Sequence, residues 1–359
     1  MDKNSAKLIE TLSNAFGPSG FEDEVIKSAR SLAADIGRIE EDSLRNLYIY
    51  RRENRNDGRP VLMLDAHSDE VGMIIQAIKP NGTLRFLTLG GWNKQSLPGT
   101  KVLVRNKNGE LLPGIIAAKP VHFMSAAEKA NTNFEISDLC IDIGAASAEE
   151  AGERFGAAVG EPAAPASRFE ADEEKDLLFG KGFDCRIGCA ALIETLLRLR
   201  GKELPFDVVG VLSSQEEVGE RGVKVAVERV KPDIAICFEG APADDTFSEP
   251  WLSQTALGKG PMLRHMDVSV ICNPRFMRFA VDAAEEAGIP VQCAVRSGGG
   301  NNGAVINLAA GGIPVIVAGV PVRYIHSPNC MAKYRDFENT VRLAVLLSEK
   351  LTADVLAGF

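Results

Sequence analysis

From Gly182 onward the chain alternates short apolar runs with helical stretches. The stretch "CRIGCAALIETLLRLR" sets Cys189, Ile193, Leu196 and Leu197 on one face, and "FDVVGVL" follows it. Next come "GVKVAVERV", "DIAICF", "RFMRFAVDAAEEAG", "PVQCAV", "PVIVAGV" and "FENTVRLAVLLSEKL". Runs such as "FDVVGVL" lack the polar alternation of a half-exposed strand, so they read as strands buried on both faces. Strands that alternate with helices imply an α/β fold: a mixed, largely parallel sheet flanked by helices.

The first 70 residues fit the same sheet. "NLYIYRR" and the start of "RPVLMLDAHSDEVGMIIQAI" read as strands, the second turning at Asp65–Glu70. Ser19 and Glu22 form a capping-box pattern ahead of a helix with Phe21, Val25, Ala29, Leu32 and Ile36 at helical spacing. From Val71 to Glu161 the texture changes to short strands, with Asn108-Gly109 as a hairpin turn. Residues 72–164 are therefore expected to form an inserted small β-barrel domain, and 1–71 with 165–359 a discontinuous catalytic domain. The Ala/Pro/acid-rich "GEPAAPASRFEADEEKD" between them reads as a linker.

At 359 residues the chain is long enough for one large domain and a smaller one. A net charge of −9 argues against nucleic-acid or anionic-membrane partners. The N-terminus lacks an apolar signal segment and no run reaches membrane-span length. Seven scattered cysteines without a CxxC pair read as reduced core residues of a cytoplasmic protein.

In open α/β sheets, ligands bind beyond the carboxyl ends of the strands. Those positions carry a consistent chemistry. His67 and Asp69 follow "VLMLDA", Glu216 and Glu217 follow "FDVVGVL", and Glu239 follows "DIAICF". His326 lies beyond "PVIVAGV", and Asp184 precedes the helix "CRIGCAAL", where an N-cap is the plainer role. Carboxylates clustered at one rim repel each other unless one or two divalent cations compensate them. Imidazole with carboxylate suits zinc, cobalt or manganese. Asp69 can take the far ring nitrogen of His67 and orient it. Neighbouring residues leaving a strand point in different directions, so one glutamate of the pair can bind a metal while the other acts as general base. His122 and the turn-like His265 fit no such site and read as structural.

The motifs "GPSGFEDEV", "AHSDEVG", "GGWNKQSLPGTKV", "AAKPVHF", "GFDCRIGC", "QEEVGERG" and "RYIHSP" together resemble the glutamyl and tetrahedral aminopeptidases, a family of dinuclear metallopeptidases that includes endoglucanase-labelled homologues. The resemblance runs in order over nearly the whole chain. It implies a zinc-peptidase-like fold, peptide substrates and two divalent metal ions per chain. His67 and Glu239 would complete the first metal site, Glu217 and His326 the second, with Asp184 bridging both and Glu216 as the catalytic base. Asp69 would support His67. The insert would be a dimerisation domain that builds a homo-oligomer, from a dimer up to a tetrahedral dodecamer. Three features depart from the family pattern: Cys185 replaces the second aspartate of a DDR motif, Glu239 stands where Asp is usual, and Gly300-Asn301-Asn302-Gly303 stands where TDAG is frequent.

Two other readings compete with this one. A glycosidase needs two carboxylates flanking the scissile bond at roughly 5–9.5 Å. Here the glutamates are adjacent in sequence and the histidines would be unexplained. A non-catalytic assembly subunit of the same fold, or one of altered specificity, would accommodate the Glu239 and Asn301 changes.

Overall fold

The computed structural model describes residues 1–130 and 134–359. The chain starts with helices α1 (Lys3–Asn14) and α2 (Asp23–Leu32), then strands β1 (Gly37–Glu41), β2 (Leu47–Arg51) and β3 (Val61–His67). It then builds a second unit: β4 (Gly72–Ile78), β5 (Leu84–Leu89), β6 (Lys101–Arg105), β7 (Leu111–Ile116), the short helix α3 (Ala126–Ala130), β8 (Ile141–Asp142), α4 (Ala148–Glu153) and β9 (Pro162–Pro165). These strands close in the order β4-β5-β8-β7-β6-β9 around Met73, Ile75, Phe86, Val102, Val104 and Ile116. By contacts the chain divides into residues 1–70, 168–325 and 329–359 on one hand, and 71–167 with 326–328 on the other.

The larger unit continues with β10 (Glu170–Asp172), β11 (Leu177–Gly180), α5 (Phe183–Arg198), β12 (Asp207–Ser213), α6 (Arg221–Val230) and β13 (Ile234–Pro242). It finishes with β14 (Met262–Met266), α7 (Pro274–Glu286), β15 (Gln292–Val295), α8 (Gly303–Leu308), β16 (Val315–Arg323), β17 (Cys330–Lys333), α9 (Tyr334–Lys350) and α10 (Ala353–Ala357). Its sheet runs β1-β2-β12-β3-β13-β16-β17-β11-β10, with β14 and β15 off this path. The central strands β12, β3, β13 and β16 are parallel neighbours, and every residue of β12 is buried. Their register positions the site. Ser213 pairs with His67, and Cys237 pairs with Asp65, so Glu239, two residues on, stands level with His67.

Several local expectations are revised. The strand through "DIAICF" does not stop before Glu239 but runs to Pro242, because its last residues still pair with β16, Glu239 opposite Gly319. His265 lies inside β14, not in a turn. Part of the linker is barrel: Ala163 pairs with both Met73 and Val104, its small side chain buried, and the two prolines mark the strand's ends. Asp184 is not an N-cap; it lies within the first turn of α5 at φ −85°, ψ 105°, after Gly182 in the left-handed region. The capping box is absent as well, for Glu22 makes no side-chain cap to α2.

Candidate metal centre and active site

His67 ends β3 and is almost fully buried. Its Nε2 lies 3.0 Å from Asp184 Oδ1, 3.7 Å from Glu239 Oε2 and 4.0 Å from Glu216 Oε2. On the other side of the ring, Nδ1 lies 3.3 Å from Asp69 Oδ1, without hydrogen-bond alignment. One imidazole thus faces carboxylates on both edges. His67, Asp184, Cys185 and Glu239 each offer a donor atom within 4.8 Å of the others, and so do His67, Glu216 and Glu217. His326 lies in the turn after β16, at φ +54°, and groups with the barrel residues; a Cβ added at Gly91 would come within 3.4 Å of its Nδ1.

Asp69 organises the turn that carries the paired glutamates. It is fully buried and accepts hydrogen bonds from the Ser19 hydroxyl (2.6 Å), the Glu216 N–H (2.9 Å) and the Glu217 N–H (3.2 Å). Burial alone would raise its carboxyl pKa, but His67, Ser19 and the Glu216 amide hold it below the ordinary value of 3.8. The turn enters and leaves through left-handed residues, Gln215 at φ +54° and Glu220 at φ +53°.

The electrostatics show what chemistry the cluster favours. Burial, then the nearby Asp69 and Asp184, push the Glu216 carboxyl up to about 7, against the pull of His67. Burial pushes Glu239 well above the carboxylate range, with Asp184 and Glu216 adding to it. Burial disfavours a charged His67, yet the surrounding acids win and hold its pKa well above the ordinary value. Glu239 Oε1 is buried and has no hydrogen-bond partner among the described residues. An orphaned carboxylate oxygen amid acids that resist ionising fits a divalent cation, and the nitrogen and oxygen donor set has the matching chemistry.

Some residues of this region were not singled out as site residues from the sequence. Glu70 Oε1 accepts from Lys181 Nζ and, at 3.4 Å, from Arg186 Nη2. Arg186 also donates to the carbonyls of Leu12, Ala15 and Gly17. Asn302 Nδ2 bridges Asp65 (2.8 Å) and Ser213 (2.7 Å) beneath the rim. Arg186 stands among the apolar residues of the first turns of α5 and is fully buried, and a buried guanidinium needs acceptors waiting for it.

A parallel sheet with histidine and carboxylates gathered at its carboxyl rim presents the donor set of a divalent-metal site. A family model described as M42 glutamyl aminopeptidase matches residues 46–343. The chain belongs to this family and is a hydrolase of the aminopeptidase kind. It is 32% identical over 330 residues to the glutamyl aminopeptidase of Lactococcus lactis, covering 92% of this chain and 91% of the relative. The structure of a TET aminopeptidase from a marine sediment Thaumarchaeota archaeon superposes with a TM-score of 0.94 at 37% identity, covering 99% of both chains. The Pyrococcus horikoshii TET1 peptidase, which can assemble into a tetrahedron or a large octahedral shell, matches with a TM-score of 0.86 at 29% identity, over 97% of this chain and all of that one. No helix among the described residues is long and apolar enough to cross a membrane.

Proposed function

We propose that this chain removes N-terminal residues from peptides, using two divalent metal ions and Glu216 as general base. The observation that carries the reading is the acid cluster around His67, with Glu239 Oε1 orphaned and Glu216 held near neutrality. His67, Asp184 and Glu239 would hold one ion; Asp184, Glu217 and His326 the other, as the family motifs imply. When bound, the metals supply Lewis-acid polarisation of the scissile carbonyl and acidify water. Zinc fits this donor set, as do cobalt and manganese.

The chain's own residues do the rest. Glu216 Oε2 takes the proton of the attacking water and passes it to the leaving amine. Burial, the largest cause of its raised pKa, favours the protonated form that the base must pass through. Asp69 sets a carboxylate 3.3 Å from His67 Nδ1 and fixes the amides of both glutamates, so the base and its ligand neighbour project from one rigid turn. By likeness to the assembling TET1 peptidase, the protein would work as a homo-oligomer; the family motifs imply that the barrel unit builds it.

The test is a substrate panel at saturating metal: unblocked aminoacyl anilides, the same compounds N-acetylated, and cello-oligosaccharides. Turnover of the unblocked set alone, abolished by chelation and restored by zinc, cobalt or manganese, supports the reading. Turnover that survives chelation, or is confined to the sugars, refutes it.

A further inference from the structure

The segment Ala15–Glu22, "AFGPSGFE", carries two polar side chains that resemble a helix cap and do not serve as one. Glu22 is fully buried. Its Oε1 accepts the N–H of Gly20 at 2.8 Å and, across 193 residues, the N–H of Gln215 at 3.1 Å. Ser19 donates to Asp69, which in turn accepts from the amides of Glu216 and Glu217. Three consecutive peptide N–H groups, 215 to 217, thus point at two buried carboxylates. A strand end with consecutive amides aimed at fixed acceptors cannot swing without exposing buried donors, each costing about 1–3 kcal/mol.

The segment is itself held rigidly. Gly17 accepts at its carbonyl from Arg186 (2.9 Å) and from the Glu70 N–H (3.1 Å), and donates to Glu70 Oε1 (3.3 Å). A Cβ on Gly17 would stand 2.5 Å from Val25 and 2.9 Å from the Arg186 guanidinium, so only glycine allows this approach. Gly20, at φ +85°, turns the chain so that its own N–H reaches Glu22.

We propose that Glu22 is a positioning residue which, paired with Asp69, moulds the 215–217 turn and so sets where Glu216 projects. Its contribution is the shape of an acceptor at Oε1, not its charge. Glu22 Oε2 makes no hydrogen bond among the described residues, so an amide nitrogen there breaks none. This inference rests on Glu216 being the base, but its structural half can be read without turnover.

The experiment compares Glu22→Gln with Glu22→Asp in the full-length, metal-loaded protein. Glutamine keeps the reach and loses the charge; aspartate keeps the charge and withdraws the acceptor by one methylene. Glu22→Asp is expected to lower kcat by roughly 10- to 100-fold, the range typical of supporting residues behind a metal site, with KM and metal content unchanged. Amide exchange in the peptide spanning 214–218 should accelerate by about tenfold, the counterpart of about 1.4 kcal/mol. Glu22→Gln should restore kcat to within about threefold of wild type and leave exchange slow. Wild-type kcat and exchange in Glu22→Asp overturn the proposal, as does a glutamine variant impaired as badly as the aspartate one. If wild type turns over no aminoacyl substrate, the functional reading fails, while the exchange comparison still decides whether Glu22 moulds the turn.

Discussion

Replacing Asp69 by asparagine changes one atom in a place where both carboxylate oxygens are in use. Oδ1 serves the Glu216 N–H and faces His67, while Oδ2 serves the Glu217 N–H and the Ser19 hydroxyl. The amide nitrogen fits better at the Oδ2 position, because the serine hydroxyl can rotate to accept from it. That leaves the Glu217 N–H buried against another donor, at about 1–3 kcal/mol. The negative charge opposite His67 is lost as well, and outer partners of this type are worth roughly 10- to 100-fold in metal affinity or activity. Together these give a fall in kcat/KM of about 10- to 100-fold, or about 1.4–2.8 kcal/mol of transition-state stabilisation. The stability deficit should itself depend on pH. The wild-type carboxyl is held below 3.8, so its stabilising contribution is complete at neutral pH and disappears as pH falls through that lowered value. The assay is initial-rate kinetics on an unblocked aminoacyl anilide, with metal content and thermal melts at pH 7 and at a pH below the lowered value of the Asp69 carboxyl, where the difference in stability should vanish. A variant with kcat/KM within twofold of wild type and full metal occupancy would show that Asp69 is not the organiser of the turn.

Three further outcomes are expected. Because the surrounding acids hold the His67 pKa well above its ordinary value of 6.5, metal uptake must displace the proton from its ring. Titrating metal-free protein with zinc at pH 6.5 in a weak indicator buffer should release roughly one proton or more per ion, and affinity should rise with pH through neutrality; release near zero contradicts this. Glu239→Asp draws the carboxylate back from its place 3.7 Å from His67 Nε2 and opens room for a free α-amine, so kcat/KM on free dipeptides should rise by roughly tenfold, about 1.4 kcal/mol. No change, or a fall, refutes that reasoning. Sedimentation velocity of the intact protein should show a homo-oligomer at micromolar concentration, and a monomer would count against assembly through the barrel.

The central strands were legible because a strand buried on both faces, such as Asp207–Ser213, writes an unbroken apolar run, and the charged residues that follow it can only lie at the rim. His67, Asp69, Glu216 and Glu217 were readable on that basis. The end of the strand at Glu239 is hidden because a charged residue interrupts the apolar run, while the ladder with β16 continues past it. Ser19 and Glu22 are hidden for a different reason. Their spacing satisfies a local capping pattern, and nothing within a few residues reveals acceptors and donors 50 and 193 positions away. Local sequence alone offers Asp184 only the plainer role of a cap, since its neighbour across the site, His67, lies 117 residues earlier. The "GEPAAPAS" stretch reads as linker because alanine and proline carry no periodic signal, although small side chains suit a strand squeezed between two barrel neighbours.

The division of labour between the adjacent glutamates is tested most directly by comparing Glu216→Gln and Glu217→Gln for single-turnover hydrolysis of an unblocked aminoacyl substrate, with bound metal counted in the same samples. Loss of the general base should cost Glu216→Gln roughly two to four orders of magnitude in rate while its metal content stays at the wild-type level. Glu217→Gln should instead lose bound metal, and its rate should recover as metal is added in excess. Equal loss of metal in both variants, or a Glu216→Gln rate within about threefold of wild type, would contradict the account.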